Sequence, residues 1–142
     1  MFQAWASAPL TGVLLAACLA ALVRGGPVER RGAGLYVLAV LAVTVTRRLT
    51  GGGPDLAADL AFDAPLFAGL AALSWRSPRS WPVWAALLQA LAIGVDLAGA
   101  VRPQTPRVAV TSALWAVGAA QVGVFALGVI RASSAYIPVA LR

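Results

Sequence analysis

Apolar residues fill five long runs along this chain, at about 5–23, 34–48, 56–75, 81–101 and 108–130. Within each run the apolar positions are nearly continuous, so the helices they predict are apolar on most of their circumference instead of along one stripe. Crossing a bilayer takes about 20 residues at a rise of about 1.5 Å each. Four runs have that length. The second is the shortest, and it reaches Leu49 only if Arg47 and Arg48 snorkel to the interface. The pattern predicts an all-α, polytopic transmembrane bundle of five spans, forming a single integral membrane domain over residues 1–142. A four-span arrangement with the second run half-inserted is the alternative.

The gaps between runs are short and full of helix breakers: Arg24-Gly25-Gly26-Pro27, Gly51-Gly52-Gly53-Pro54, Arg76-Ser77-Pro78-Arg79-Ser80 and Arg102-Pro103-Gln104-Thr105-Pro106-Arg107. Glycine and proline end one helix and start the next. Connections this short make sequential helices antiparallel neighbours.

Composition agrees with the pattern. Of 142 residues 61% are hydrophobic and 11% charged, with a mean hydropathy of +0.85; a soluble domain carries about 25% charged residues. All eleven basic residues are arginines, against five acids, for a net charge of +6. They cluster in the gaps, which is the pattern of membrane topology and not of a nucleic-acid surface. With five spans, Arg24, Arg30, Arg31, Arg76, Arg79, Arg131 and Arg142 share one side, and Arg47, Arg48, Arg102 and Arg107 the other. The positive-inside rule then puts the N-terminus outside and the C-terminus in the cytoplasm. No basic residue precedes Arg24, so the first run reads as a span and not as a cleaved signal.

The chain has no histidine. Imidazole-ligated haem, zinc or copper and any nucleophile–histidine pair are thereby excluded. We expect no metal, no cofactor and no catalytic residue. The single cysteine, Cys18, lies inside an apolar run and reads as a small core residue. Trp5, Trp75, Trp81 and Trp84 sit at run ends, where indoles anchor helices at the membrane interface.

The polar residues inside the runs are the candidate site. Asp55, Asp59 and Asp63 are spaced by four and so share one helix face. Asp55 is placed to cap the third helix, with Asp59 about 6 Å and Asp63 about 12 Å further in. Asp96, on the antiparallel fourth run, lies roughly 7–8 Å below the same surface. Arg47, Arg48, Arg102 and Arg107 border that side. Ionisable groups at such depth are costly and mark function or pairing, here either a charged network that sets helix order or a proton- or cation-accessible vestibule. Pro65 falls within a turn of Asp63, removes its own N–H and loosens the Ala61 carbonyl. Gln89 and Gln121 lie about 18 and 20 Å from the same side, so an interhelical hydrogen bond worth about 0.6 kcal/mol is expected. Gly118, Ala119, Ala120, Gly123 and Gly128 give the fifth helix small surfaces for a central position or for contact with another protein.

The run from Arg24-Gly25-Gly26-Pro27-Val28-Glu29-Arg30 through Asp59-Leu60-Ala61 to Ser80-Trp81-Pro82-Val83-Trp84-Ala85-Ala86-Leu87-Leu88-Gln89 resembles small multi-helix membrane proteins of alphaproteobacteria. The resemblance covers most of the chain and is carried chiefly by the Trp-Pro-x-Trp-Ala-Ala-x-x-Gln element. It implies a five-helix protein of a bacterial inner membrane, and no activity. Asp96 stands where those proteins often have histidine, so no shared chemistry is implied there.

Two functions follow as expectations. One is a non-catalytic accessory or assembly subunit, partnered by lipid and by other membrane subunits or further copies of itself. The other is a small oligomeric transporter or proton/cation conduit built on Asp59, Asp63 and Asp96. No nucleic-acid partner is expected.

Overall fold

A computed structural model describes residues 8–50, 56–102, 104 and 106–134. Five α-helices account for nearly all of them: α1 (Ala8–Arg24), α2 (Pro27–Thr50), α3 (Leu56–Trp75), α4 (Trp81–Val101) and α5 (Arg107–Ser134). There is no strand among the described residues.

The breakers act where the gaps place them. Gly25 N–H closes α1 on the Ala21 carbonyl at 2.9 Å, and Gly26 accepts from Arg30 N–H at 3.0 Å, so the chain reverses within two residues. Pro27 then opens α2 with its φ already helical and no N–H to leave unpaired. Ser80 precedes α4, again with proline in the first turn. Arg102 N–H caps α4 on the Ala98 carbonyl at 3.0 Å, and Pro106 accepts from Ala109 N–H at 2.9 Å as α5 begins.

α2 differs most from its apolar run. It begins at Pro27, not near residue 34, and runs to Thr50, giving 24 residues. Its first turns hold Glu29, Arg30 and Arg31, so polarity hid the helix start while Pro27 and the Gly-Gly turn set it. α3 stays helical through Pro65.

Each helix packs on its neighbour in sequence, and α5 returns to pack on α1, which closes a ring; α2 and α5 also touch across it. Buried residues recur at helical spacing: Leu14, Cys18 and Ala21 on α1; Asp63, Leu66, Leu70 and Leu73 on α3; Trp81, Ala85, Gln89 and Ala92 on α4. The main core lies toward the end where α4 begins and α5 finishes, and a smaller cluster of Ala92, Leu114 and Val117 fills the other end.

Outward-facing positions are apolar as well. Leu19, Leu38, Leu87 and Ile130 are each more than half exposed. Among the described residues α4 and α5 are long and apolar enough to cross a membrane, and α1 is a shorter apolar helix.

Candidate functional site

The interior holds a chain of side-chain hydrogen bonds across three helices. Asp63 on α3, Gln89 on α4 and Gln121 on α5 are all buried. Gln89 Nε2 donates to Asp63 Oδ1 at 2.8 Å, and Gln121 Nε2 donates to Gln89 Oε1 at 3.0 Å. Gln121 Nε2 also approaches the Ala85 carbonyl at 3.5 Å. From α2, the Tyr36 hydroxyl meets the Gln121 side chain, and the Tyr36 ring packs on Phe125 with centroids 5.0 Å apart. Three helices are thus tied through one hydrogen-bonded line, and α2 packs on its α5 end through Tyr36. Asp63 Oδ2 is buried without a hydrogen bond.

The direction of the line follows from the chemistry of its members. A carboxylate only accepts, whereas an amide both donates and accepts. Asp63 therefore terminates the chain, and Gln89 passes it on by donating through Nε2 and accepting at Oε1.

Asp59 and Asp96 are half-buried, close enough for their charges to bear on Asp63. Arg48, Arg102 and Arg107 are exposed. Asp59 and Asp96 thus gather near Asp63 as expected, whereas among the described residues the hydrogen bond to Asp63 comes from an amide and not from an arginine. The reason is rotational: Gln89 continues the buried stripe of Trp81 and Ala85, while Asp96 lies at its edge. Trp5, Asp55 and the Arg47 side chain lie outside the described residues.

A second buried polar group was not anticipated. Glu29, in the first turn of α2, is 1% exposed. Trp81 Nε1 donates to its Oε1 at 3.4 Å, and Arg79 Nε approaches the same oxygen at 3.8 Å. Glu29 also lies at the positive end of the α2 dipole, which favours an anion. Its signal was present in the sequence as an acid three residues into a Gly-Gly-Pro helix start, but it was masked by the arginines beside it.

Trp81 consequently departs from its expected role as an interface anchor. It is 5% exposed, its ring packs edge-on against Phe125 at 5.1 Å, and it fills a slot between two glycines. A Cβ on Gly128 would stand 2.6 Å from Trp81 Cγ, and one on Gly32 would strike the far edge of the indole. Trp75 and Trp84 are exposed, as anchors would be. Of the small residues on α5, Gly118 and Gly128 face inward, while a Cβ on Gly123 would meet nothing within 4 Å.

Two hollows lie at the end where α4 begins. One of about 160 Å³ is lined by α4 and α5 residues that include Arg79, Trp84 and Arg131. A second, of about 660 Å³, surrounds the α1–α2 turn with Arg24 and Arg30.

No protein-family model, curated protein or solved structure matches the chain.

Proposed function

We propose that the chain is a five-span protein of a bacterial inner membrane, akin to the small alphaproteobacterial proteins it resembles, with its N-terminus outside and its C-terminus in the cytoplasm. It acts without catalysis, as an accessory or assembly subunit of a larger membrane system. The observation that carries this reading is the inverted burial. Glu29, Asp63, Gln89 and Gln121 are enclosed, while large hydrophobic side chains are exposed on every helix described, aliphatic on α1, α2, α4 and α5 and the aromatic Phe67 and Trp75 on α3. Water would penalise that surface by about 25 cal/mol per Å², and hydrocarbon would not.

Support for a subunit comes from α4. Ala90, Gly94 and Ala98, spaced by four, are all exposed. Small residues at this spacing let another membrane helix approach closely. A Cβ on Gly94 would meet nothing within 4 Å in the isolated chain. Gly94→Leu should therefore leave the fold intact and release co-purifying subunits or further copies of the chain. Unchanged partners in that variant would remove the α4 face from the reading. A reporter fused after Arg142 should report a cytoplasmic location; a periplasmic signal would overturn the orientation.

The second reading, an oligomeric proton or cation conduit, is favoured by one observation: the unbonded Asp63 Oδ2 with Asp59 and Asp96 nearby. Proteoliposome flux separates the two. If the carboxyl conducts, wild type passes protons or cations and Asp63→Asn abolishes that flux; if Asp63 only ties helices together, wild type and Asp63→Asn alike stay at the level of empty vesicles.

A further inference from the structure

We propose that the hollow between the start of α4 and the end of α5 binds the phosphate of an anionic phospholipid. It is lined by Arg79, Ser80, Trp81 and Trp84 on one side and by Val124, Leu127, Gly128 and Arg131 on the other. This rests on the membrane reading above and extends it to a particular lipid class.

Charge and shape both select the occupant. Arg131 lies three residues past Gly128 and four past Leu127, so it stands over the same face of α5. Arg79 enters from the α3–α4 connection. Its closest approach to Glu29 is through Nε, which orients the guanidinium and leaves the terminal nitrogens for a ligand. Two guanidinium groups from separate segments suit a phosphodiester, which each can contact through paired N–H groups. The volume of about 160 Å³ is several times that of one water and admits a phosphate group. The Ser80 hydroxyl makes no capping bond to α4 and is available as a further donor. The dipole at the start of α4 adds to the same field.

The lower wall makes the occupant a lipid and not a free anion. Val124, Leu127 and Gly128 are apolar, and Leu127 is also exposed, which gives an acyl chain apolar surface to lie along. Trp84, 59% exposed, flanks it at headgroup level. Basic hollows between membrane helices at the more positive side hold anionic headgroups in this way.

The test uses the full chain purified in detergent. Binding of phosphatidylglycerol, phosphatidylcholine and inorganic phosphate is read by native mass spectrometry in wild type, Arg131→Gln, Arg131→Lys and Arg102→Gln. Phosphatidylglycerol should bind in preference to phosphatidylcholine. Arg131→Gln should bind it about fivefold more weakly, Arg131→Lys should keep most of the preference, and Arg102→Gln, at the opposite end, should match wild type. Equal binding of the two lipids, an unaffected Arg131→Gln variant that still melts like wild type, or equal competition by millimolar phosphate would each overturn the site. Alkaline carbonate extraction of native membranes separates this from failure of the membrane reading. A protein that carbonate strips off the membrane overturns both, whereas an integral protein without lipid preference overturns only the headgroup site.

Discussion

Gln89 on α4 donates to Asp63 on α3 at 2.8 Å, joining residues 26 positions apart inside the bundle. With Gln121 bonded to Gln89 in turn, a single carboxylate becomes the fixed end of a line that sets the rotation of three helices. Removing the acceptor should leave Gln89 Nε2 buried without its acceptor, at a cost of about 1–3 kcal/mol. Asp63→Leu should therefore lower the melting temperature in detergent, whereas Asp63→Asn keeps an acceptor oxygen and should melt within about 1 kcal/mol of wild type. The double variant Asp63→Leu/Gln89→Leu should recover part of the loss. A double variant that loses as much as the sum of the two single variants would mean that the pair is not coupled.

Helix limits were legible where glycine and proline meet an apolar run, as the Ser80-Trp81-Pro82 start illustrates; the Gly25-Gly26-Pro27 turn was read as a gap, but the start of α2 was placed near residue 34. Equal depth for Gln89 and Gln121 was also readable, since it needs only the helical rise and an antiparallel pair. Which face each helix turns inward was not readable, because apolar residues surround every helix and no amphipathic stripe points to the core. Asp96 and Asp63 therefore appeared matched by depth, when rotation gives Asp63 to Gln89. Glu29 was hidden for the opposite reason: charged neighbours made its segment resemble a solvated turn, although the helix had already begun at Pro27.

The slot around Trp81 gives a second test. A methyl on Gly128 would stand 2.6 Å from Trp81 Cγ and 3.1 Å from its Cβ, atoms close to the α4 backbone that cannot swing away. Gly128→Ala should destabilise by about 1–3 kcal/mol through overpacking. Gly34→Ala is the matched control, since its Cβ meets nothing within 4 Å, and helix propensity alone should stabilise it by about 0.5–1 kcal/mol. Opposite signs for the two in thermal melts are expected; equal signs would contradict the packing of Trp81.

Glu29 has two partners of unequal weight. The ion pair with Arg79 is long at 3.8 Å, and the arginine side chain is 41% exposed, so screening limits it to about 1 kcal/mol at most. The bond from Trp81 is buried. Glu29→Gln retains an oxygen for the indole and should cost no more than the ion pair. Glu29→Leu removes both interactions and should cost about 1–3 kcal/mol. Thermal melts of the two variants should therefore separate, and a Glu29→Gln loss as large as that of Glu29→Leu would make the charge, not the indole bond, the dominant contact.

Cys18 and Leu19 are adjacent on α1 but face opposite surroundings: Cys18 is 2% exposed in the core and Leu19 is 64% exposed. In a water-soluble bundle, a thiol at position 19 would be labelled at once and Cys18 would be spared. In a bilayer both should be silent toward a polar maleimide, because one is packed in protein and the other faces hydrocarbon, where neither the reagent nor a thiolate is stable. The comparison needs Cys18→Ala/Leu19→Cys, wild type and, as an exposed reference, Cys18→Ala/Gln104→Cys, all in proteoliposomes. Rapid labelling is expected at position 104 alone, and all three should react once the protein is unfolded in detergent. Labelling at position 19 as fast as at position 104 in intact vesicles would put the outer face of α1 in water and remove the lipid-facing surface on which the membrane reading depends.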